Sequence, residues 1–307
     1  MLSGGVRDDP FDIRYDVAVA GGLLRTAHAG PPPRRADAVV LAVHGVTSSL
    51  EVWRSVAREL SADAGLALLA PDLRGRGRSS GLPGPYGITA HMADLVDVLD
   101  DAGAEQAVLV GHSLGAYVVA GLAAEHPERV AAVVLLDGGL PVPPAPGQDL
   151  DEMLEAMVET TLGRAHLTFA CADAYAESWR THPAFERAWD DDVDAYARYE
   201  ATGAPGHVRL AVSERAVRAD LADLTYQAGV LTAIERVTAP IHLLRAARGM
   251  HDEPYGMLPR SIVDDFLATQ PDARVEDVPG VNHYTIALGA GPGPRAVASA
   301  IDASVRT

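Results

Sequence analysis

The sequence predicts an α/β fold with a mostly parallel central sheet, flanking helices and an inserted helical lid. Short apolar runs alternate with stretches of helical periodicity along residues 1–140, and the same alternation returns after residue 227. Between these two parts the alternation stops, and residues 141–226 carry mainly helical patterns. We therefore assign residues 1–140 and 227–307 to the core and residues 141–226 to the lid.

The first core segment predicts a hairpin followed by parallel strands. Asp16–Ala20 and Leu24–His28 flank Gly21-Gly22, a pair typical of a tight turn. Apolar positions then recur with helical spacing after Trp53, after Ile88 and over Leu114–Glu125. The predicted buried strands of this segment are Val39–Val43, Leu66–Ala70, Ala107–Val110 and Val133–Leu136.

The lid and the last elements follow from similar signals. A proline-rich stretch over residues 141–147 predicts a stiff hinge, and a helical stripe of apolar residues begins at Leu150. The lid is rich in aromatic residues, which suit either a small core of its own or an apolar pocket. Ile241–Leu244 and Arg274–Val278 are the last predicted strands, and Arg295–Val305 is the last predicted helix.

Composition excludes several classes of partner. The formal net charge of −17 argues against nucleic acid and against anionic membranes, because there is no basic surface to displace their counterions. All 25 basic residues are arginine, so no lysine is available as a nucleophile. The single cysteine, Cys171, and the lack of a signal segment in Met1–Tyr15 predict a cytoplasmic protein. No metal site is expected, because His251, Asp252 and Glu253 are adjacent and have no second ligand cluster to help them.

The strongest chemical signal is the G-x-S-x-G pattern of residues 111–115. It lies between a predicted strand and a predicted helix, so Ser113 would occupy a sharp turn at a helix N-terminus. Gly111 and Gly115 remove side chains that would collide in such a turn. The pattern predicts that Ser113 is a nucleophile.

A serine nucleophile needs a base and an acid that orients the base. His283 follows the last predicted strand and is the candidate base. Asp252, in the loop after the penultimate strand, is the preferred acid, and Asp137 and Glu253 are the alternatives. The order serine, acid, histidine along the chain holds for each of these choices.

Backbone amides are expected to stabilise the oxyanion. Leu114 follows the nucleophile and would supply the first amide, and Val46, in the loop after Val39–Val43, would supply the second. The side chains expected to contact the substrate are His44, His112, Trp179 and Tyr284.

Residues 1–140, and again the chain from about Val237 to the end, resemble the α/β-hydrolase family, which includes esterases, thioesterases and C–C bond hydrolases. His44-Gly45 resembles the oxyanion motif of that family, Asp72–Ser79 resembles its D-x-R-G-x-G-x-S turn, and Gly111–Gly115 resembles its nucleophile turn. The resemblance implies the strand order of the sheet, Ser–Asp–His roles and the lack of a cofactor. It does not imply a substrate.

The expected activity is hydrolysis of a carboxyl ester or related small acyl substrate through an acyl-enzyme intermediate. The alternatives are an acyl thioesterase and, in a different class, a non-catalytic ligand-binding protein on the same fold. The sequence leaves open whether the protein is a homodimer.

Overall fold

The computed structural model describes residues 8–61 and 65–306. Residues 1–7 lie outside the described residues. They begin the predicted core and the stretch Met1–Tyr15, for which no signal segment is predicted. The described strands are β1 Ile13–Val19, β2 Gly22–Ala29, β3 Ala38–Val43, β4 Leu66–Pro71, β5 Ala107–His112, β6 Val130–Leu136, β7 Ala201–Thr202, β8 Arg209–Leu210, β9 Ile241–Ala246 and β10 Arg274–Val278.

The central sheet has eight strands in the order β1-β2-β4-β3-β5-β6-β9-β10. β1 and β2 pair antiparallel with Val19 opposite Gly22, which confirms the predicted hairpin. β2 is also antiparallel to β4, and every later pairing in the sheet is parallel. The predicted mostly parallel α/β sheet is therefore confirmed.

The central strands are apolar along their whole length because both of their faces are covered. In β3, Val40 and Ala42 pack into one hydrophobic layer, whereas Val39, Leu41 and Val43 pack into the layer on the other face. This alternation follows from the two-residue period of a strand.

Ten described α-helices accompany the strands. α2 ends at Gly103, whose φ of 66° gives the left-handed cap that glycine favours. α3 is buried on most of its surface, as expected for a helix enclosed by its neighbours. The helices are α1 Arg54–Leu60, α2 Ile88–Ala102, α3 Leu114–Glu125, α4 Leu150–Leu162, α5 Ala172–Arg180, α6 Asp191–Glu200, α7 Glu214–Tyr226, α8 Ala228–Leu231, α9 Arg260–Thr269 and α10 Pro292–Val305.

Residues 141–226, which we call the inserted segment, contain α4 to α7 and a small antiparallel pair, β7 and β8. Asp192 of α6 is almost fully buried and accepts hydrogen bonds from Arg54 and Arg58 of α1. Asp220 of α7 is fully buried and pairs with Arg76 and His91. Ion pairs of buried side chains therefore connect the inserted segment to the core.

Candidate active site

The candidate nucleophile lies in a strained turn between β5 and α3. Ser113 has a φ of 55° and a ψ of −118°, a conformation that non-glycine residues rarely adopt. A Cβ atom at Gly111 would collide with the carbonyl oxygen of Gly115, and one at Gly115 would collide with the carbonyl oxygen of Val43. The two glycines are therefore required by close backbone packing around this turn.

The loop after β3 lies against this turn, because a Cβ added to Gly45 would be 3.2 Å from the Ser113 Cβ. The Gly45 carbonyl oxygen accepts hydrogen bonds from His44 Nδ1 at 2.8 Å and from the Ser48 amide at 3.2 Å. In a trans peptide the C=O and the following N–H point in opposite directions. These bonds therefore fix the direction of the Val46 amide.

His44 holds that loop in place and does not reach the cavity. Its Nε2 accepts a hydrogen bond from the Leu73 amide at 2.9 Å, so the ring proton resides on Nδ1. Burial lowers the pKa of His44 to about 3, which keeps the imidazole neutral. The expectation that His44 contacts the substrate is therefore wrong, because the side chain is fully buried and its two nitrogens bond to the backbone.

The Leu114 amide is the first amide of α3 and has no partner within its own helix. Val46 and Ser113 both line the same cavity. The structure thus places the two predicted oxyanion donors on loops that converge at Ser113, as the strand order of the sheet requires.

The candidate base lies in the loop after β10 and is bonded to a carboxylate at the end of β6. His283 Nδ1 is 2.7 Å from Asp137 Oδ2, and both side chains are buried. Asp137 Oδ1 accepts a further hydrogen bond from the Ala246 amide at 3.2 Å. Asp137 has a φ of 47°, so its backbone turns sharply at the strand end. A buried carboxylate that is held in this way can fix the orientation of the imidazole.

The prediction that Asp252 orients the base is therefore wrong, because its carboxylate does not contact His283. Arg248 Nε and Nη2 donate to it at 2.6 and 2.9 Å, and Asn282 Nδ2 donates at 3.2 Å. The hydrogen bond from Arg248 is the main cause that lowers the pKa of Asp252. Glu253 accepts a hydrogen bond from the His251 amide instead of reaching the imidazole.

A second imidazole supports the first. His112 Nε2 donates to the His283 carbonyl oxygen at 2.8 Å, and the two ring centroids are 4.7 Å apart. Burial is the main cause that holds the pKa of His112 well below its ordinary value, so this ring is neutral. His112 therefore positions the loop that carries His283.

Ser113 and His283 line one cavity of about 380 Å³, which we call the central cavity. Most of the remaining wall comes from the loops after β3 and β9 and from the inserted segment, including parts of α4, α5 and α6. Trp179 and Tyr284, two of the predicted substrate contacts, lie in this wall with ring centroids 5.6 Å apart. Trp179 also contacts Phe185 and Tyr196 edge to face, so the aromatic residues serve both the packing of the inserted segment and the cavity.

Sequence reasoning missed the polar residues that the inserted segment brings to this wall. Tyr196 and Arg164 line the central cavity, and the Arg164 guanidinium lies over the ring of Tyr175, whose hydroxyl donates to a buried acid, Glu200. Burial is the main cause that raises the pKa of Glu200 to about 8. No local motif marks these residues, because their proximity depends on how α4, α5 and α6 pack.

Comparison with known proteins shows to which family the chain belongs. A family model described as alpha/beta hydrolase fold matches residues 38–174. RutD of Variovorax paradoxus (strain S110), whose name assigns it to carbamate hydrolysis, is 30% identical over 208 residues, which are 67% of this chain and 74% of that protein. The chain belongs to the α/β hydrolase family.

Other relatives of this α/β hydrolase match a shorter part of it. Lipase LipV of Mycobacterium tuberculosis (strain ATCC 25618 / H37Rv) is 40% identical over 119 residues, 39% of this chain and 43% of the lipase. Epoxide hydrolase A of the same strain is 46% identical over 118 residues, 38% of this chain and 35% of that enzyme. The matched part thus spans less than half of the length of either relative.

The crystal structure of E-2-(acetamidomethylene)succinate hydrolase superimposes on this α/β hydrolase with a TM-score of 0.76. That comparison covers 96% of this chain and 99% of the other at 22% identity, and it supports the fold. Among the described residues, no helix combines the length and apolar character needed to span a bilayer. No group of three or more potential metal ligands occurs in residues 8–61 and 65–306.

Proposed function

We propose that this chain is a serine hydrolase that cleaves a carboxyl ester or a related acyl substrate through an acyl-enzyme intermediate. One observation carries the proposal: Ser113, in its strained turn, lines the same cavity as His283, whose Nδ1 is 2.7 Å from the buried Asp137 carboxylate. The name of Lipase LipV is consistent with ester cleavage. Serine, histidine and aspartate in these relations form the constellation that acyl transfer requires.

In the proposed reaction, His283 Nε2 takes the proton from the Ser113 hydroxyl as the Ser113 oxygen attacks the acyl carbon. The Val46 and Leu114 amides stabilise the charge that develops on the carbonyl oxygen. The bond to the leaving group breaks, and His283 returns the proton to that group. Water, deprotonated by the same imidazole, then attacks the acyl-enzyme and releases the acid and the free serine.

Epoxide opening is disfavoured by the chemistry of the nucleophile. A carboxylate that attacks an epoxide forms an ester, which water can cleave, whereas a serine oxygen would form an ether that resists hydrolysis. The residue in the turn is Ser113, and Asp137, the acid near it, is engaged by His283. The likeness to Epoxide hydrolase A therefore supports the fold more than that activity.

The test combines turnover with covalent labelling. The purified chain should hydrolyse 4-nitrophenyl butyrate and react with a fluorophosphonate probe. Ser113→Ala should lose turnover by a factor on the order of 10⁶ and should lose the label, since the triad acts as a unit. Ser304→Ala, at a partly buried serine of α10 outside the cavity wall, is the matched control and should keep both.

Circular dichroism establishes that Ser113→Ala is folded. Undiminished turnover or labelling in that folded variant would show that Ser113 is not the nucleophile. A wild-type chain that neither labels nor turns over acyl esters or thioesters would instead support the ligand-binding alternative.

A further inference from the structure

The charge of the central cavity differs from that of the whole chain. The protein has a net charge of −17, yet no aspartate or glutamate is among the described residues that line this cavity. Its wall carries one arginine, Arg164, together with four imidazoles. A neutral acyl substrate would not require this segregation of charge.

Arg164 is held against aromatic rings rather than against an acid. Its guanidinium lies 3.9 Å from the Trp179 ring centroid and 5.0 Å from that of Tyr175. Nη2 donates to Ser178 Oγ at 2.8 Å, while Nε is buried without a hydrogen-bond partner among the described residues. Within that part of the chain, Arg164 makes no ion pair with a carboxylate, unlike the buried arginines Arg74 and Arg76.

The buried acid that shares Tyr175 with Arg164 does not neutralise it. The Tyr175 hydroxyl donates to Glu200 Oε2 at 3.1 Å, and the face of the same ring meets the guanidinium. Because burial raises the pKa of Glu200 to about 8, this carboxyl is mostly protonated at neutral pH. The positive charge of Arg164 is therefore left for a ligand in the cavity.

We infer that the substrate of this enzyme carries a carboxylate, in addition to the acyl bond that is cleaved, and that Arg164 binds it. A guanidinium presents parallel N–H donors that match a carboxylate, and stacking on Trp179 fixes its plane in advance. The substrate class is thus a half-ester of a dicarboxylic acid, or an ester whose alcohol part bears a carboxylate. The inference rests on the proposed function and names the substrate class of the same site.

Two pairs of substrates with nearly equal shapes test the inference. In the first, mono-4-nitrophenyl glutarate is compared with 4-nitrophenyl 5-methylhexanoate, in which an isopropyl group replaces the terminal carboxylate. In the second, 4-carboxyphenyl acetate is compared with 4-isopropylphenyl acetate, so that the charge lies on the leaving group. The measured quantity is the ratio of kcat/KM for the anionic ester to that for the neutral ester, within each pair.

In at least one pair, the wild-type ratio should exceed that of Arg164→Met by about tenfold to hundredfold, the usual effect of one charge-assisted contact. Arg164→Lys should retain part of the ratio. Arg209→Met makes the same change at an exposed arginine of the inserted segment outside the cavity wall, and it should keep the wild-type ratio.

The inference fails if Arg164→Met lowers kcat/KM for both members of each pair by the same factor, because the arginine would then serve packing alone. It also fails if the wild-type enzyme prefers the neutral ester in both pairs. In either case the wild-type enzyme would still turn over the neutral esters, so the proposed function would stand. Absence of turnover for all four esters would contradict the proposed function instead.

Binding of glutarate to Ser113→Ala and to Ser113→Ala/Arg164→Met, measured by calorimetry, tests the arginine without turnover.

Discussion

The edge of the central sheet and the inserted segment meet across the central cavity, and they hold their functional side chains by different means. At the sheet edge the backbone sets the positions: Ser113 and Asp137 follow directly after β5 and β6, with φ values of 55° and 47°. In the inserted segment, side chains hold other side chains, as Asp192 does with Arg54 and Arg58. Strand ends that the sheet holds in place suit chemistry that tolerates little displacement. The contacts of the inserted segment depend instead on particular side-chain pairs, so single substitutions can alter them.

The largest expected effect concerns the sheet edge. Asp137→Asn should lower kcat for 4-nitrophenyl butyrate by about 10⁴-fold, because an amide can donate to His283 Nδ1 and favour the wrong tautomer. Asparagine tolerates a positive φ, and its side-chain oxygen can still accept from the Ala246 amide, so the fold should persist. Steady-state kinetics of the folded variant measure the effect.

Asp252→Asn is the matched control for that substitution. Its carboxylate pairs with Arg248 and Asn282, so kcat should stay within about threefold of wild type, since no contact with the imidazole is lost. A large loss of kcat in Asp252→Asn, together with wild-type kcat in Asp137→Asn, would instead identify Asp252 as the acid that orients His283.

The contrast between the two acids shows how far the sequence could predict the site. Ser113 and His283 are marked by local patterns, a glycine-flanked turn and a loop after the last strand, and the structure brings both to one cavity. Asp137 is separated from His283 by 146 positions, and their contact depends on the order β6-β9-β10 in the sheet, because His283 follows β10. One local signal against Asp252 was available: Arg248 lies four positions before Asp252 and forms an ion pair with its carboxylate.

The inserted segment was less predictable for a related reason. Its helical character follows from periodicity, and α4 begins at Leu150 as the apolar stripe indicates. The contacts of Arg164 and Glu200 depend on packing among α4, α5 and α6, which periodicity does not specify. The role of His44 was missed because a motif that resembles an oxyanion loop does not show which ring nitrogen bonds to which backbone group.

The next largest effect should appear in stability. Asp192→Ala should lower the free energy of unfolding by about 3 kcal/mol, because it leaves the buried Nε of Arg54 and the buried hydroxyl of Ser55 without their acceptor. Urea denaturation measures this change. Asp194→Ala on the same helix removes a partly exposed pair with Arg198 and should cost less than about 1 kcal/mol. Equal losses in the two variants would contradict the view that buried pairs anchor the inserted segment.

The smallest expected effect is a pH dependence of the unfolding free energy, and it tests the ionisation of Glu200, the buried acid of the inserted segment. The pKa of Glu200 is about 8 in the folded chain and has an ordinary value of 4.5, so between these values the folded state binds more protons than the unfolded state. The stability contributed by this group is therefore complete below about pH 4.5 and is lost as the pH rises towards 8. Glu200→Gln cannot ionise, so from pH 5 to pH 6.5 it should gain about 2 kcal/mol in unfolding free energy relative to wild type. Glu177→Gln, an exposed acid of α5, should show a difference from wild type that does not change with pH, because water solvates that side chain in both states. A constant difference for Glu200→Gln as well would mean that Glu200 ionises freely in the folded chain, and Arg164 would then face a charged acid rather than a neutral one.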